Sequence, residues 1–351
     1  MSSPVSSLSA STRRATIIVL AVAALLLTLH ASAQDTPLLS GGVGFFTDTK
    51  AGKTSYEPTI QPLLAAPIGS HLLIEGRATL VETFAPNGGD IPGYNHTHFI
   101  GNTYLQADYI ASPYLTIVGG SFLTPFGTYN ERLTPIWINN LQDGPLIGGI
   151  GLMSSASGLG GEVRGSAISR NKYSIDYTAY FSAQSGNVQF NSERSTGGRA
   201  SLYLTDSRLE VGVSYGRLLQ GTQENFYGTH VWWEPKDTAF RLRSEYAHGQ
   251  HAQGYWVEVD YRTRAFGGLD SWIGRIEPVF RMQQLFRINN LGSDNVASVN
   301  TERADFGLDY NLPHNTRIIT SYARQFASTG NRNIWETGIV YRFLFPTWKG
   351  K

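Results

Sequence analysis

The 351-residue chain has no cysteine. That excludes a disulfide framework, thiolate metal sites, cysteine nucleophiles and a lipidated N-terminal cysteine. Lysine is scarce as well: of 28 basic residues, 22 are arginine. Charged residues make up only 16% of the chain, in no block of one sign. Nothing in that balance suggests a nucleic-acid partner. After residue 29 there is no apolar run long enough for a membrane-spanning helix.

The one apolar run opens the chain. Arg13 and Arg14 precede Ala15 to Leu29, and Ala31-Ser32-Ala33 follows. A basic region, a short apolar core and an A-x-A site form a secretory signal peptide, expected over residues 1–33. The run is about 15 residues, short of the ~20 that a spanning helix needs. Export by the general secretory route would leave one domain, residues 34–351. Without Arg13 and Arg14 its 26 basic residues stand against 27 acidic ones, a formal charge of −1.

Glycine (38 residues), tyrosine (18) and phenylalanine (17) are plentiful, and 12% of the chain is aromatic. Apolar and polar residues alternate in segments of about ten, the signature of half-buried strands. Sixteen segments fit: Leu38–Thr47, Glu57–Ala65, Ser70–Phe84, His98–Ala111, Tyr114–Leu123, Gly158–Ile168, Lys172–Ala183, Thr196–Thr205, Arg208–Arg217, Asn225–Glu234, Thr238–Ala247, Ala252–Arg264, Asp270–Leu285, Thr301–Asn311, Asn315–Phe326 and Arg332–Phe345. The first two are weak, the second because Pro58 and Pro62 disfavour a central strand. Short turns rich in Pro, Gly, Asn and Asp mostly alternate with longer connections, among them Asp48–Tyr56 and Ala85–Thr97. Gly267-Gly268-Leu269 is expected to be one of the short turns.

This pattern predicts an all-β fold: a transmembrane antiparallel β-barrel of about 16 strands, with tight turns on one side and longer loops on the other. A soluble sandwich also alternates. The export signal, aromatic residues at segment ends and charges of both signs on the opposite faces favour the barrel, which would sit in outer-membrane lipid.

Ser121 to Gly158 breaks the alternation, with Pro125, Pro135 and Pro145 inside it. So long an interruption is expected to be functional. It falls third among the long connections and is expected to fold inward and narrow the pore. Glu131, Arg132 and Asp143 are its candidate constriction charges, with Tyr129, Trp137 and the residues near Ile147 pinning it to the wall. Wall candidates are Arg77, Arg241, Arg243, Arg262, Arg264, Arg275, Arg281, Arg303 and Arg317. Arginine offers a rigid fork of donors to anions, and charge rings set pore selectivity. Acidic residues such as Glu75, Glu258, Asp260 and Asp305 share those faces, so a wall of paired charges is the alternative.

At Gly120-Ser121-Phe122-Leu123-Thr124-Pro125-Phe126-Gly127 the sequence resembles the phosphate-selective porin O and P family. The resemblance implies a sixteen-stranded trimeric pore with an inward third loop. It does not carry phosphate selectivity, because lysine is scarce here and acidic residues are interleaved. The expected function is therefore passive diffusion of small hydrophilic solutes or ions, anions among them, through an outer-membrane channel. No enzymatic step and no cofactor are expected. The alternative is a barrel without a transport role, structural, adhesive or lipid-hydrolysing. Ser244 and His248 share a segment but show no recognised nucleophile motif, and His96 and His98 alone make a weak metal pair.

Overall fold

The computed structural model describes residues 36–88, 92–150, 157–183, 194–220, 223–268, 271–289 and 296–346. The expected signal peptide lies outside the described residues, as do parts of several long connections.

Alternation is realised as sixteen strands: β1 Leu38–Lys50, β2 Lys53–Ile68, β3 Leu72–Pro86, β4 Tyr94–Ser112, β5 Leu115–Leu123, β6 Ser157–Ser169, β7 Tyr173–Ser182, β8 Ser195–Leu204, β9 Leu209–Leu218, β10 Asn225–Trp233, β11 Phe240–His248, β12 Ala252–Tyr261, β13 Ile276–Arg287, β14 Thr301–Leu312, β15 Thr316–Ala327 and β16 Arg332–Pro346. Each pairs antiparallel with its neighbours in sequence. β1 pairs with β16 from Leu38–Pro346 to Lys50–Ile334, which closes the barrel.

Burial is inverted relative to a soluble protein. Phe306, Val213, Ile339 and Leu308 are exposed, whereas Glu258, Asp260, Arg281, Asp305 and Glu336 on the opposite faces are buried. An apolar outer surface and a polar interior suit a barrel whose solvent on the outside is lipid. The outer face carries aromatic residues at both ends: Tyr114, Tyr173, Trp233 and Tyr341 near the tight turns, and Tyr215, Tyr227, Tyr246 and Trp335 toward the loops. Such rings favour the headgroup level of a bilayer.

Three expectations need correction. The β1–β2 connection is not long. Lys50 pairs with Lys53 across a two-residue turn, Ala51 and Gly52, both at positive φ. That is the turn geometry that suits a strand's twist. Polar residues continue the ladder where the alternation fades, as the Thr49–Thr54 hydroxyl contact of 2.9 Å shows.

Pro58 and Pro62 do not weaken β2 either. Its ladder with β1 runs unbroken, and the ladder with β3 passes from Tyr56 to Thr59 and from Ile60 to Leu63 without pairing the residues between. The prolines fall in those gaps, where no N–H is required of them.

The β12–β13 connection is the third correction. β12 stops at Tyr261, and β13 starts at Ile276 rather than Asp270. Helix α2, Arg264–Gly267, and a 3-10 turn, Ile273–Arg275, lie between them. Arg262, Arg264 and Arg275 therefore belong to a rim connection, not to strand faces. Glycine makes the compact fold possible: a Cβ on Gly274 would stand 1.8 Å from the Gly268 carbonyl oxygen.

Candidate functional site: the segment after β5 and the charged wall

Residues 124–150 leave β5 and run through a four-residue helix, α1 (Tyr129–Arg132), and a 3-10 turn, Leu146–Gly149. The Gly120–Gly127 string marks the departure. Phe122 and Phe126 are buried with Tyr129 and Leu133 in one apolar cluster that includes Trp256 of β12. Gly127 has φ +66, and a Cβ there would lie 2.9 Å from a carboxylate oxygen of Glu245 on β11.

Glu245 is the first anchor. One of its oxygens accepts hydrogen bonds from the Thr128 backbone N–H, the Thr128 hydroxyl (2.6 Å) and the Tyr129 N–H (2.8 Å). The other accepts from the Trp256 indole at 3.3 Å. A carboxylate is well matched to free backbone donors at the start of a helical turn. Nearby, Arg199 of β8 donates to the Gly127 carbonyl (2.5 Å) and to Glu131. Arg132 makes a two-pronged pair with Glu210 of β9, at 2.7 and 2.9 Å.

Further contacts go around the circumference. Arg77 of β3 donates to the Thr134 hydroxyl at 2.8 Å, beside a β-bulge between Arg77 and Ala78. Such a bulge re-aims the side chain next to it. The Ile136 N–H donates to Gln61 of β2 at 3.0 Å. Arg317 of β15 reaches the Asn139 carbonyl and, at 3.2 Å, the Asn140 side chain. Arg281 of β13 donates to the Asp143 carbonyl at 2.8 Å, and Arg303 of β14 pairs with the Asp143 carboxylate at 2.6 Å. The Leu146 N–H donates to Gln283 at 2.8 Å.

Apolar contacts follow a second rule, in which strand glycines face bulky side chains of the segment. A Cβ on Gly42 would meet Trp137 at 2.9 Å, on Gly228 Phe126 at 2.9 Å, on Gly254 Ile147 at 2.7 Å and on Gly307 Leu141 at 2.7 Å. Ile136 and Trp137 also pack on Phe46, Ile319 and Val340. Tyr129 meets Trp256 edge-on, with ring centroids 6.1 Å apart. The expected pins Tyr129, Trp137 and Ile147 are thus all in contact with the wall.

The arginines of β11 to β14 are largely paired. Arg241 bonds Asp260 (2.7 Å) and Glu277 (3.1 Å); Arg243 bonds Glu258 and Asp260; Arg281 bonds Glu258 (2.6 Å); Arg303 bonds Asp305 (2.6 Å). Arg317 stands 3.4 Å from Asp309, and Arg262 3.6 Å from Glu234. Burial opposes ionisation of Asp143, yet the adjoining Arg303 guanidinium holds its carboxyl below the ordinary value of 3.8. Burial pushes the Tyr129 hydroxyl up to about 12.

Two cavities adjoin the segment. One of about 320 Å³ lies against β1 to β6. Glu131, Trp137 and Ile138 of the segment line it opposite Glu75, Arg77, Glu162 and Arg164. The other, of about 510 Å³, lies at the tight-turn end, among the β12–β13 and β14–β15 connections. Trp137 and Arg342 line both. Sequence reasoning counts Arg342 among the lumen-facing arginines and Glu245 among the acids on the same faces, but it does not foresee the anchoring role of Glu245 or of the four glycines. Their only sequence signal is a glycine or an acid at a polar-face position of a strand.

No protein-family model matches the chain, and no curated protein matches it. Solved structures do. OmpF of Salmonella typhi, in complex with daunomycin, aligns with a TM-score of 0.62 at 14% identity, covering 90% of this chain and 100% of that one. OmpT of Vibrio cholerae, with loop L8 deleted, aligns at 0.55 and 10% identity, covering 88% and 100%. The anion-selective porin of Comamonas acidovorans aligns at 0.53 and 12% identity, covering 88% and 99%. The fold is that of outer-membrane porins. At these identities the likeness is one of fold alone, and the resemblance to the phosphate-selective porins stays with the Gly120–Gly127 string.

Ser244 and His248, and His96, are each engaged with other neighbours among the described residues. The Ser244 hydroxyl donates to the Trp256 carbonyl at 2.8 Å, and His248 lies 3.1 Å from Gln253. His96 contacts Glu82 and stacks on Phe84 at 4.7 Å. Among the described residues no three potential ligands gather as a metal site.

Proposed function

We propose that the protein is an outer-membrane channel for passive diffusion of small hydrophilic solutes or ions, and that residues 124–150 form its constriction. The observation that carries this is the pair of polar cavities beside the segment, both bordered by Trp137 and Arg342. The segment's contacts fall mainly on β8 to β15, so the open space is left beside β1 to β6. Permeation follows that eccentric route, with the tight-turn end facing the periplasm as short turns do in bacterial barrels. Diffusion of this kind involves no covalent step.

Within the smaller cavity Glu75, Glu131 and Glu162 face Arg77, Arg164 and Arg342. Opposed charges across a narrow polar passage sort solutes by size and dipole more than by the sign of their charge. Anions enter this reading through the arginines at the turn end. A homotrimer, implied by the family resemblance, is the proposed assembly, and native mass measurement in detergent checks it.

Purified protein in a planar bilayer should give stepwise conductance. Folded protein, verified by heat-modifiable gel migration, that gives none would refute the channel. Deleting Thr128–Gly144 should raise the step size; an unchanged step in a folded deletion variant would remove the segment from the conduction path.

A further inference from the structure

The smaller cavity has two unlike sides. Pro135, Trp137 and Ile138 of the segment line one of them. Residues 135–138 form a turn, closed by the Ile138 N–H on the Pro135 carbonyl at 2.9 Å. Ile136 and Trp137 pack on Phe46, Ile319 and Val340. Ile138 is not part of that packing: it is 40% exposed and borders the cavity with its apolar surface. Leu63 of β2 adds to the apolar lining.

The barrel wall supplies polar groups, most of them already engaged. Arg164 bonds Asp108 at 2.7 Å, and the Gln106 amide donates to Glu75 at 2.9 Å. Two buried residues keep an unused hydrogen-bonding atom. Arg77 is 4% exposed, donates to Thr134 and lies over the Tyr104 ring, yet its Nε–H has no acceptor among the described residues. Glu162 is 3% exposed, and its Oε1, 3.6 Å from Arg164, accepts no hydrogen bond among them. Buried polar atoms are nearly always partnered, so each of these two needs an explanation.

One unused donor and one unused acceptor fit a ligand that offers both, and a hydroxyl does so. A simple anion answers Arg77 alone and meets Glu75, Glu131 and Glu162; a simple cation answers Glu162 alone and meets Arg77, Arg164 and Arg342. A sugar brings several hydroxyls and no charge, and its C–H face suits the apolar turn. Small-molecule sites usually combine such an apolar lining with a few placed polar groups. At about 320 Å³ the cavity lies near the lower end of their range, about 300–1,000 Å³, so its occupant is small.

We propose that the smaller cavity is a retention site for a neutral polyhydroxylated solute of hexose size. Its C–H face lies on the turn at residues 135–138 and its hydroxyls on Arg77 and Glu162. The inference rests on the channel reading above and names the solute class of that passage. A retained sugar obstructs the current of a monovalent salt, and the obstruction saturates.

The test uses the full-length protein in planar bilayers in potassium chloride, with D-glucose as the probe. Glucuronate and glucosamine carry one negative and one positive charge on the same ring, and phenylalanine is a zwitterion with an apolar ring. Recording at about pH 6 keeps the glucosamine amine charged. Glucose should block saturably, at a half-blocking concentration at least about tenfold below that of each other probe, a difference of about 1.4 kcal/mol. Ile138→Ser should weaken glucose block about tenfold, and Ile138→Leu, which keeps the apolar surface, should retain it.

Conducting protein that glucose does not block saturably overturns the proposal. So does equal or tighter block by a charged or zwitterionic probe, or undiminished glucose block in Ile138→Ser. A chain that never conducts refutes the channel reading instead. Saturation-transfer NMR of glucose with the detergent-folded barrel then decides the site, which is overturned if no transfer occurs or if Ile138→Ser leaves it unchanged.

Discussion

Asp143 and Arg303 lie 160 residues apart in the chain and meet at 2.6 Å. Arg303 also holds Asp305 at 2.6 Å, and the Asp143 carbonyl accepts from Arg281 at 2.8 Å. The pair fixes the far end of the 124–150 segment to β13 and β14. Removing one partner of a charged hydrogen bond costs about 1–3 kcal/mol. Asp143→Asn should therefore loosen that end and raise single-channel conductance, with more frequent current fluctuations and no change in heat-modifiable migration. Single-channel recording checks this, and a current identical to the parent would show the pair to be dispensable.

The same carboxylate gives a pH dependence. Its pKa in the folded protein is lowered, so its contribution to attachment is fully present above the ordinary value of 3.8 and is lost as pH falls through the depressed value. Conductance set by the segment should stay flat from neutral pH to about 4 and rise only under stronger acid. Asp143→Asn should lack that acid step. Recording both proteins across the acid range is the measurement.

Gly307 makes room for Leu141, and apart from Leu141 a Cβ there would press only on Val279, at 3.3 Å, and touch Thr320 at 3.7 Å. Gly307→Val should push the segment from the wall at a cost of about 1–3 kcal/mol of overpacking. Conductance should change while the barrel stays resistant to detergent. Leu141→Ala in the same chain should restore the parental current by giving back the space.

Glu245 receives three donors from Thr128 and Tyr129. Glu245→Ala leaves them without their carboxylate, at about 1–3 kcal/mol for each donor left unsatisfied. Glu245→Gln keeps an acceptor and should lie between the variant and the parent. Protease sensitivity of the segment in folded barrels ranks the three proteins, and equal sensitivity would deny Glu245 an anchoring role.

The barrel was legible in the sequence because a strand's two faces alternate with period two, a rule the wall follows except at bulges such as the one at Arg77 and Ala78. Tyr255, Val257 and Val259 oppose Glu258 and Asp260 in the chain as they do in space. The rule fails where structure is set by neighbours distant in sequence. Arg264 and Arg275 continue an alternation on paper, yet Gly268 and Gly274 fold that stretch into turns. The anchors were hidden for the same reason. Nothing near Gly42 announces Trp137, and nothing near Glu245 announces Thr128.

The pairing of β1 with β16 also bears on how the protein reaches its folded state. Leu38 must find Pro346 across almost the whole described chain. The entropy of closing a loop grows only slowly with its length, but contacts of such separation form late. Until they do, β1 and β16 are open edges of thirteen and fifteen residues, free to pair with any other strand. The last strand made is therefore the one on which assembly waits, and truncation within residues 334–346 should trap the chain as an aggregate even though every other hairpin is intact.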